Sequence, residues 1–281
     1  MALGGNPVFA NNKNFKDAPA GQRGYMNAGA DTMAAQSQFS AQQLQDLYNK
    51  PSANASQTGR MTYDDVIMKT VATLGLVLVG AAVGWMFPAL MWPGMIVGLV
   101  LGLVNSFKKE PSKALILAYA GFEGLFLGGL SGVLDSIYPG IAIQALLGTL
   151  SVFLVTLVLF RNAKVRATPK MTRFFMIALG GYALFSLINF FLMIFNVTTT
   201  PWGVNGMDIP GTNIPFGVVI GLFAIGLAAF SLIVDFTSIE QGVQRGLPAK
   251  YSWTAAFGLT VTLVWLYVEI LRLLAILRGN D

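Results

Sequence analysis

Long apolar runs separated by short polar segments fill the chain from about residue 61 to its end. A helix needs roughly 20 consecutive apolar residues to cross the hydrocarbon core of a bilayer, and seven runs reach about that length. They are residues 66–87, 89–106, 114–134, 140–160, 173–196, 216–236 and 254–277. The pattern therefore predicts an all-α integral membrane protein, with a bundle of seven transmembrane helices in residues 61–281.

Residues 1–60 have a different composition, rich in Asn, Gln, Ala, Ser and Gly. A segment with so few apolar side chains cannot offset the entropy lost on ordering, which predicts a disordered tail. A short helix over 39–48 is compatible with the spacing of its apolar residues. No charged segment followed by an apolar one precedes the first run, so we expect no cleaved signal and a cytoplasmic tail.

The composition of the 281 residues agrees with a membrane protein, since 54% are hydrophobic and 11% charged, against about 25% charged in soluble domains. Neither Cys nor His occurs, which excludes a disulfide framework and removes the commonest general base and metal ligand. We therefore expect no enzyme activity, no cofactor and no tightly bound metal ion. The net charge is +5, and most of the basic residues that produce it lie in the segments between the apolar runs. This placement favours a lipid bilayer over nucleic acid as the partner.

Basic residues occur in every second connection. They are Lys108, Lys109 and Lys113, then Arg161, Lys164, Arg166, Lys170 and Arg173, and finally Arg245 and Lys250. By the positive-inside rule these connections and the N-terminus face the cytoplasm, in a cell (plasma or inner) membrane. An odd number of spans then places the C-terminus outside. Because Arg278 is close to that end, a last helix that fails to cross fully is left open as an alternative.

Glycines recur every four residues in the second and third runs. They are Gly94, Gly98, Gly102, Gly124, Gly128 and Gly132. Close backbone approach at such glycine faces is a principal source of helix association in lipid, where the hydrophobic effect does not press helices together. The spacing therefore predicts helix packing rather than a functional site.

Five charged residues fall within the predicted spans, where each costs at least ~2.5–3.5 kcal/mol unless it finds a partner, water or a role. They are Lys69, Glu123, Asp235, Glu269 and Arg272. Lys69 can reach the interface, and Asp235 could be hydrated at the cytoplasmic end of its span. Glu123 lies near the bilayer centre, as a structural or a path-lining group. Glu269 and Arg272 are three residues apart, so they share a helix face and could neutralise each other.

Three segments, GFEGLFLGGLSG, SLIVDFTSIEQG and VTLVWLYVEILRLLAIL, resemble the Bax inhibitor-1 family of transmembrane proteins, particularly its bacterial members. The resemblance covers residues 61–281. It implies seven helices with the last one surrounded by the other six, and a pH-sensitive calcium leak through the bundle. It also implies that two carboxylates sense pH, and that these are Asp235 and Glu269. Glu123 is then a further candidate for the cation path, with Ca²⁺ as the permeant ion.

Two features of this sequence bear on that pair. The connection between Asp235 and Glu269 is long, so the carboxylates meet only if the residues GVQRGLPAKYSW, and perhaps the next turn, lie on the cytoplasmic side. The second run contains no Arg that could hold the closed pair, so Lys69 or Arg272 is expected to supply the counter-charge.

Alternative functions stay open at this point. A non-transporting regulator of a membrane protease or of a stress or survival pathway would use a closed bundle and membrane-protein partners. An intramembrane aspartyl protease is a minor alternative, since Val precedes Asp235 where that class has Tyr, and no Gly-x-Gly-Asp surrounds Glu269. A cation leak remains the leading prediction. The sequence does not determine whether the protein is a monomer or an oligomer.

Overall fold

A computed structural model describes residues 59–162, 166–198 and 200–279. The predicted disordered tail lies outside the described residues apart from its last two positions, and the helix considered over 39–48 lies outside them entirely. Lys164 of the fourth connection also falls outside.

Seven long helices form the described part of the chain, as predicted. They are α1 (Tyr63–Met86), α2 (Met91–Phe107), α3 (Lys113–Ile137), α4 (Ile141–Arg161), α5 (Pro169–Ile194), α6 (Phe216–Gln244) and α7 (Ser252–Arg278). Each is long and apolar enough to span a bilayer. The all-α, seven-helix prediction is therefore confirmed.

Two helix ends differ from the predicted spans by four residues or more. α5 begins four residues earlier, because Thr168 accepts a hydrogen bond from the Met171 amide at 3.3 Å and proline occupies the first helical position. α6 continues eight residues beyond the predicted end at 236. Its added polar turns are held by an ion pair from Arg166 Nε to Glu240 Oε2 at 3.2 Å.

The last helix lies at the centre of the bundle. α7 packs against α1, α3, α4 and α6, and Leu266, Leu271 and Ala275 on it are fully buried. α5 contacts it through the rings of Tyr182 and Trp265, whose centroids are 6.0 Å apart. The expected central position of the last helix is confirmed.

Glycines allow α3 to pack closely between α1 and α2. A Cβ added at Gly128 would lie 1.9 Å from the Ala81 carbonyl oxygen of α1, and one at Gly94 would lie 2.7 Å from the Phe126 amide nitrogen of α3. Gly98 and Gly124 lie in equally close contacts, while Gly102 and Gly132 face side chains at 3.3 and 3.6 Å. At Gly94, Gly124 and Gly128 the backbones of neighbouring helices are therefore in close contact.

The two ends of the bundle carry different charges. The end with the α2–α3, α4–α5 and α6–α7 connections, here called the basic face, also holds the start of α1, because the Met61 amide donates to the Leu247 carbonyl at 2.6 Å. At the opposite face, Arg278 donates to the Pro139 carbonyl at 2.9 Å and to Gln144 at 3.0 Å. Since Pro139 lies between α3 and α4, α7 crosses the whole bundle, and the alternative of an incomplete last span is wrong.

Candidate functional site

Asp235 lies on α6 and is fully buried. The Thr262 hydroxyl of α7 donates to its Oδ2 at 2.7 Å, and Ser231 lies 3.4 Å from the same hydroxyl. Because α6 continues nine residues beyond Asp235, this carboxylate is about 14 Å inside the helix end. Asp235 is therefore not at the cytoplasmic end of its helix, where water could hydrate it.

Other buried hydroxyls lie between Asp235 and the basic face. Thr73 of α1 and Thr260 of α7 contact each other at 2.9 Å, and both are almost fully buried. At the start of α7, the Ser252 hydroxyl is buried and has no hydrogen-bond partner among the described residues. α7 thus carries hydroxyls from its first turn to the level of Asp235.

Glu269 lies on α7 and is 3% exposed. The Tyr182 hydroxyl of α5 donates to its Oε1, which also accepts a hydrogen bond from Trp265 Nε1 at 3.0 Å. Arg272 Nη2 donates to Oε2 at 2.5 Å. Two helices thus supply three donors to one buried carboxylate, and its charge is compensated by the guanidinium one turn along α7.

The structure places the two carboxylates in separate clusters. Thr262, which binds Asp235, precedes Glu269 by seven residues on α7, or about 10 Å along the helix axis. The pair would meet only if more of the chain before Glu269 lay outside the membrane. Instead α7 begins at Ser252. A direct pair of Asp235 with Glu269 would need a different arrangement of α6 and α7.

An apolar layer lies between the two clusters. Leu232 is three residues before Asp235 on α6, and Leu266 is three residues before Glu269 on α7. Both side chains are fully buried in the same core cluster. Leu232 and Leu266 are hereafter called the leucine layer.

The two expected counter-charges have different surroundings. Arg272 pairs with Glu269, and its Nε is buried with no hydrogen-bond partner in the described part of the chain. Lys69 binds Asp65 at 2.7 Å and donates to the Ala249 carbonyl at 3.0 Å, near the basic face. The expectation that Lys69 could neutralise the buried carboxylates is therefore not met, because its helix position ties it to the membrane boundary.

Glu123 belongs to neither cluster. It lies on α3 and faces α2, since a Cβ added at Gly98 would be 2.7 Å from Glu123 Oε2. No hydrogen bond or ion pair to it occurs within residues 59–162, 166–198 and 200–279. The side of α3 that packs against α7 instead carries Ala120 and Leu127.

A family model described as Bax inhibitor 1 like matches residues 6–279 of the chain. The chain belongs to the Bax inhibitor 1 like family. The match includes most of the N-terminal segment, which corrects the expectation that the family likeness starts at residue 61. No curated protein matches the chain. Family membership and the seven spanning helices together establish a multi-pass protein of the lipid bilayer.

Several residues of the candidate site in this Bax inhibitor 1 like chain were not predicted. Arg272 was predicted as a neighbour of Glu269, and the spacing of four residues could have indicated Trp265 in the same way. Thr262 carries no comparable signal. Tyr182 is 87 residues from Glu269, and only the packing of α5 on α7 reveals the contact.

The chemistry available at the site is limited to carboxylates, hydroxyls and one guanidinium. Among the described residues, no three side chains of His, Cys, Asp or Glu come together as ligands for a metal ion. Two carboxylates that share a proton are the requirement of an aspartyl protease. The separate clusters of Asp235 and Glu269 give no support to that alternative.

Proposed function

We propose that this Bax inhibitor 1 like protein is a pH-sensitive cation leak of the cell membrane, with Ca²⁺ as a permeant ion and the basic face in the cytoplasm. The observation that carries the proposal is that two buried carboxylates lie at different levels of the central helix: Asp235 of α6 contacts it at Thr262, and Glu269 belongs to α7 itself. Ionisable groups inside a membrane are costly, so they typically mark ion or proton pathways.

The proposed route begins at the basic face. The hydroxyls of Ser252, Thr260 and Thr262 lead to Asp235, the leucine layer separates Asp235 from Glu269, and Glu269 leads towards the opposite face. Hydroxyl and carboxylate oxygens are the ligands that Ca²⁺ prefers. Because Arg272 compensates the charge of Glu269, its guanidinium also opposes cation entry until the ion pair separates.

Proton occupancy supplies the pH dependence in this proposal. As an anion, Asp235 accepts the hydrogen bond from Thr262, and together with Glu269 it attracts a cation in a medium of low dielectric. With a proton, Asp235 loses that charge and can itself donate to Thr262. A change in the distance between α6 and α7 at this hydrogen bond then also moves Leu232 and Leu266, which lie on the same two helices.

A non-transporting regulator is the second candidate. One observation favours it: Asp235 is fully buried and Glu269 is 3% exposed, so neither carboxylate is open to either face. In that case both clusters stabilise a closed bundle, and the function depends on contacts with other membrane proteins.

Calcium flux into liposomes that contain an indicator distinguishes the two candidates. We expect wild-type flux to change between about pH 5 and pH 8, and Asp235→Asn or Glu269→Gln to abolish that pH dependence. Glu110→Gln is the matched control, because Glu110 is an exposed carboxylate outside the spans. A hydrogen bond from Lys250 lowers the pKa of Glu110 below its ordinary value, so the control also removes an ion pair.

No flux above that of empty liposomes, with folding confirmed by circular dichroism, would contradict the leak and support the regulator. Flux with the same pH profile in both carboxylate variants would retain the leak but exclude Asp235 and Glu269 as its sensors.

The leucine layer provides a second test. We expect Leu266→Ala to raise calcium flux severalfold at every pH, because a hydrophobic constriction excludes water and ions and a smaller side chain weakens it. Leu277→Ala is the matched control on the same helix, where the leucine is 44% exposed. An unchanged flux in a folded Leu266→Ala variant would place the constriction elsewhere.

A further inference from the structure

A groove between α1 and α4 reaches the central helix. It encloses about 420 Å³. α1 and α4 form its walls, with Leu78 on one and Leu146 on the other, and its floor is formed by Leu263, Val264 and Tyr267 of α7. On this side of the bundle, Leu263 and Tyr267 of α7 remain partly exposed between α1 and α4, whereas Val264 is buried.

The lining of the groove is almost entirely apolar. Its hydroxyls are already bonded within the protein, since Tyr267 and Ser131 contact each other at 2.7 Å and Thr149 donates to the Ala145 carbonyl at 2.8 Å. A polar ligand or a column of water would find few free partners there, whereas a groove of this size lined by apolar side chains suits an apolar ligand.

The shape of the groove matches one leaflet of a bilayer. On α1 it extends from Leu74 to Trp85, eleven residues or about 16 Å, which is close to half of the ~30 Å hydrocarbon core. Trp85 is the penultimate residue of α1. This position corresponds to the membrane–water interface, where tryptophan is enriched in membrane proteins. The groove thus runs from the opposite face to about the middle of the membrane.

The groove is also continuous with the lipid-facing surface. Leu78 and Ile143 line it and are 61% and 65% exposed. In a protein of the bilayer, these exposed side chains contact acyl chains. An acyl chain can therefore enter the groove sideways from the surrounding lipid without leaving a hydrocarbon environment.

We infer that the groove binds one acyl chain of a membrane phospholipid, taken from the leaflet at the opposite face. The acyl chain lies between α1 and α4 and covers the α7 surface at Leu263 and Tyr267. It completes the packing around the central helix where protein does not. This inference is independent of the leak, because the groove and Glu269 occupy opposite sides of α7, with Tyr267 and Glu269 two residues apart.

Photolabelling of the full chain in vesicles tests the inference. The vesicles contain a phosphatidylcholine with a diazirine in the middle of one acyl chain, and the labelled peptides are identified by mass spectrometry. We expect labels on α7 at Leu263, Val264 or Tyr267. Lipid outside the groove cannot reach the central helix there, so labels confined to outward residues that do not line the groove, such as Val79, would overturn the inference.

A variant in which a large side chain fills the groove tests whether the α7 labels come from lipid bound there. Ala82 lines the groove on α1, so Ala82→Trp is expected to reduce α7 labelling severalfold. Val79→Trp is the matched control, because Val79 is 62% exposed on the same helix and does not line the groove. Equal α7 labelling in both variants would overturn the assignment, as would α7 that stays unlabelled in the wild-type protein.

Discussion

Gly128→Ala is expected to lower the free energy of unfolding by about 3 kcal/mol, the upper part of the range for overpacking. The added methyl carbon would lie 1.9 Å from the Ala81 carbonyl oxygen, which is backbone and cannot rotate away. The helices α1 and α3 must therefore separate, and close backbone contact is what holds helices together in lipid. Unfolding by sodium dodecyl sulfate, followed by circular dichroism in mixed micelles, measures the change.

Gly121→Ala on the same helix is the matched control. A Cβ at Gly121 has no atom within 4 Å, so the substitution adds only helix propensity, and the variant is expected to be as stable as wild type or up to about 1 kcal/mol more stable. Equal stability of the two variants would mean that α1 and α3 are not in backbone contact at Gly128.

Arg272→Met is expected to lower the free energy of unfolding by about 3–5 kcal/mol, because it leaves Glu269 buried and without its counter-charge. The double variant Glu269→Gln, Arg272→Met is expected to recover most of that loss. Glutamine keeps a carbonyl oxygen that accepts hydrogen bonds from Tyr182 and Trp265. The same detergent unfolding, applied to wild type, both single variants and the double variant, measures the coupling free energy.

A coupling free energy near zero would contradict the ion pair at Glu269. Trp265→Phe serves as the control within the same cluster, since it removes a neutral donor and keeps the charge balance. Its expected cost is about 1 kcal/mol, typical of one hydrogen bond.

The spans could be predicted because the length of an apolar run is dictated by the thickness of the membrane. The end of α6 could not be predicted in the same way. The residues after 236 include Thr237, Glu240 and Gln244, which are polar enough to end a span. They continue the helix because Arg166, distant in sequence, binds Glu240.

The candidate site was predictable only where its contacts are local. The Glu269–Arg272 ion pair follows from a spacing of three residues on one helix. The level at which Asp235 meets α7 depends instead on where α7 begins, and GVQRGLPAKYSW contains no signal that α6 ends at Gln244 and α7 begins at Ser252. The contact from Tyr182 required the complete bundle, because no local pattern joins α5 to α7.

The central position of α7 has a consequence for biosynthesis. The 27 residues of α7, which form the middle of the bundle, are synthesised after the other six helices. The six earlier helices are therefore synthesised before the central helix that most of them contact, with Tyr182 and Asp235 still lacking their partners on it. A chain that ends before Ser252 therefore keeps the contacts among α1, α2 and α3 but has no central helix, and its Asp235 lacks the hydrogen bond from Thr262.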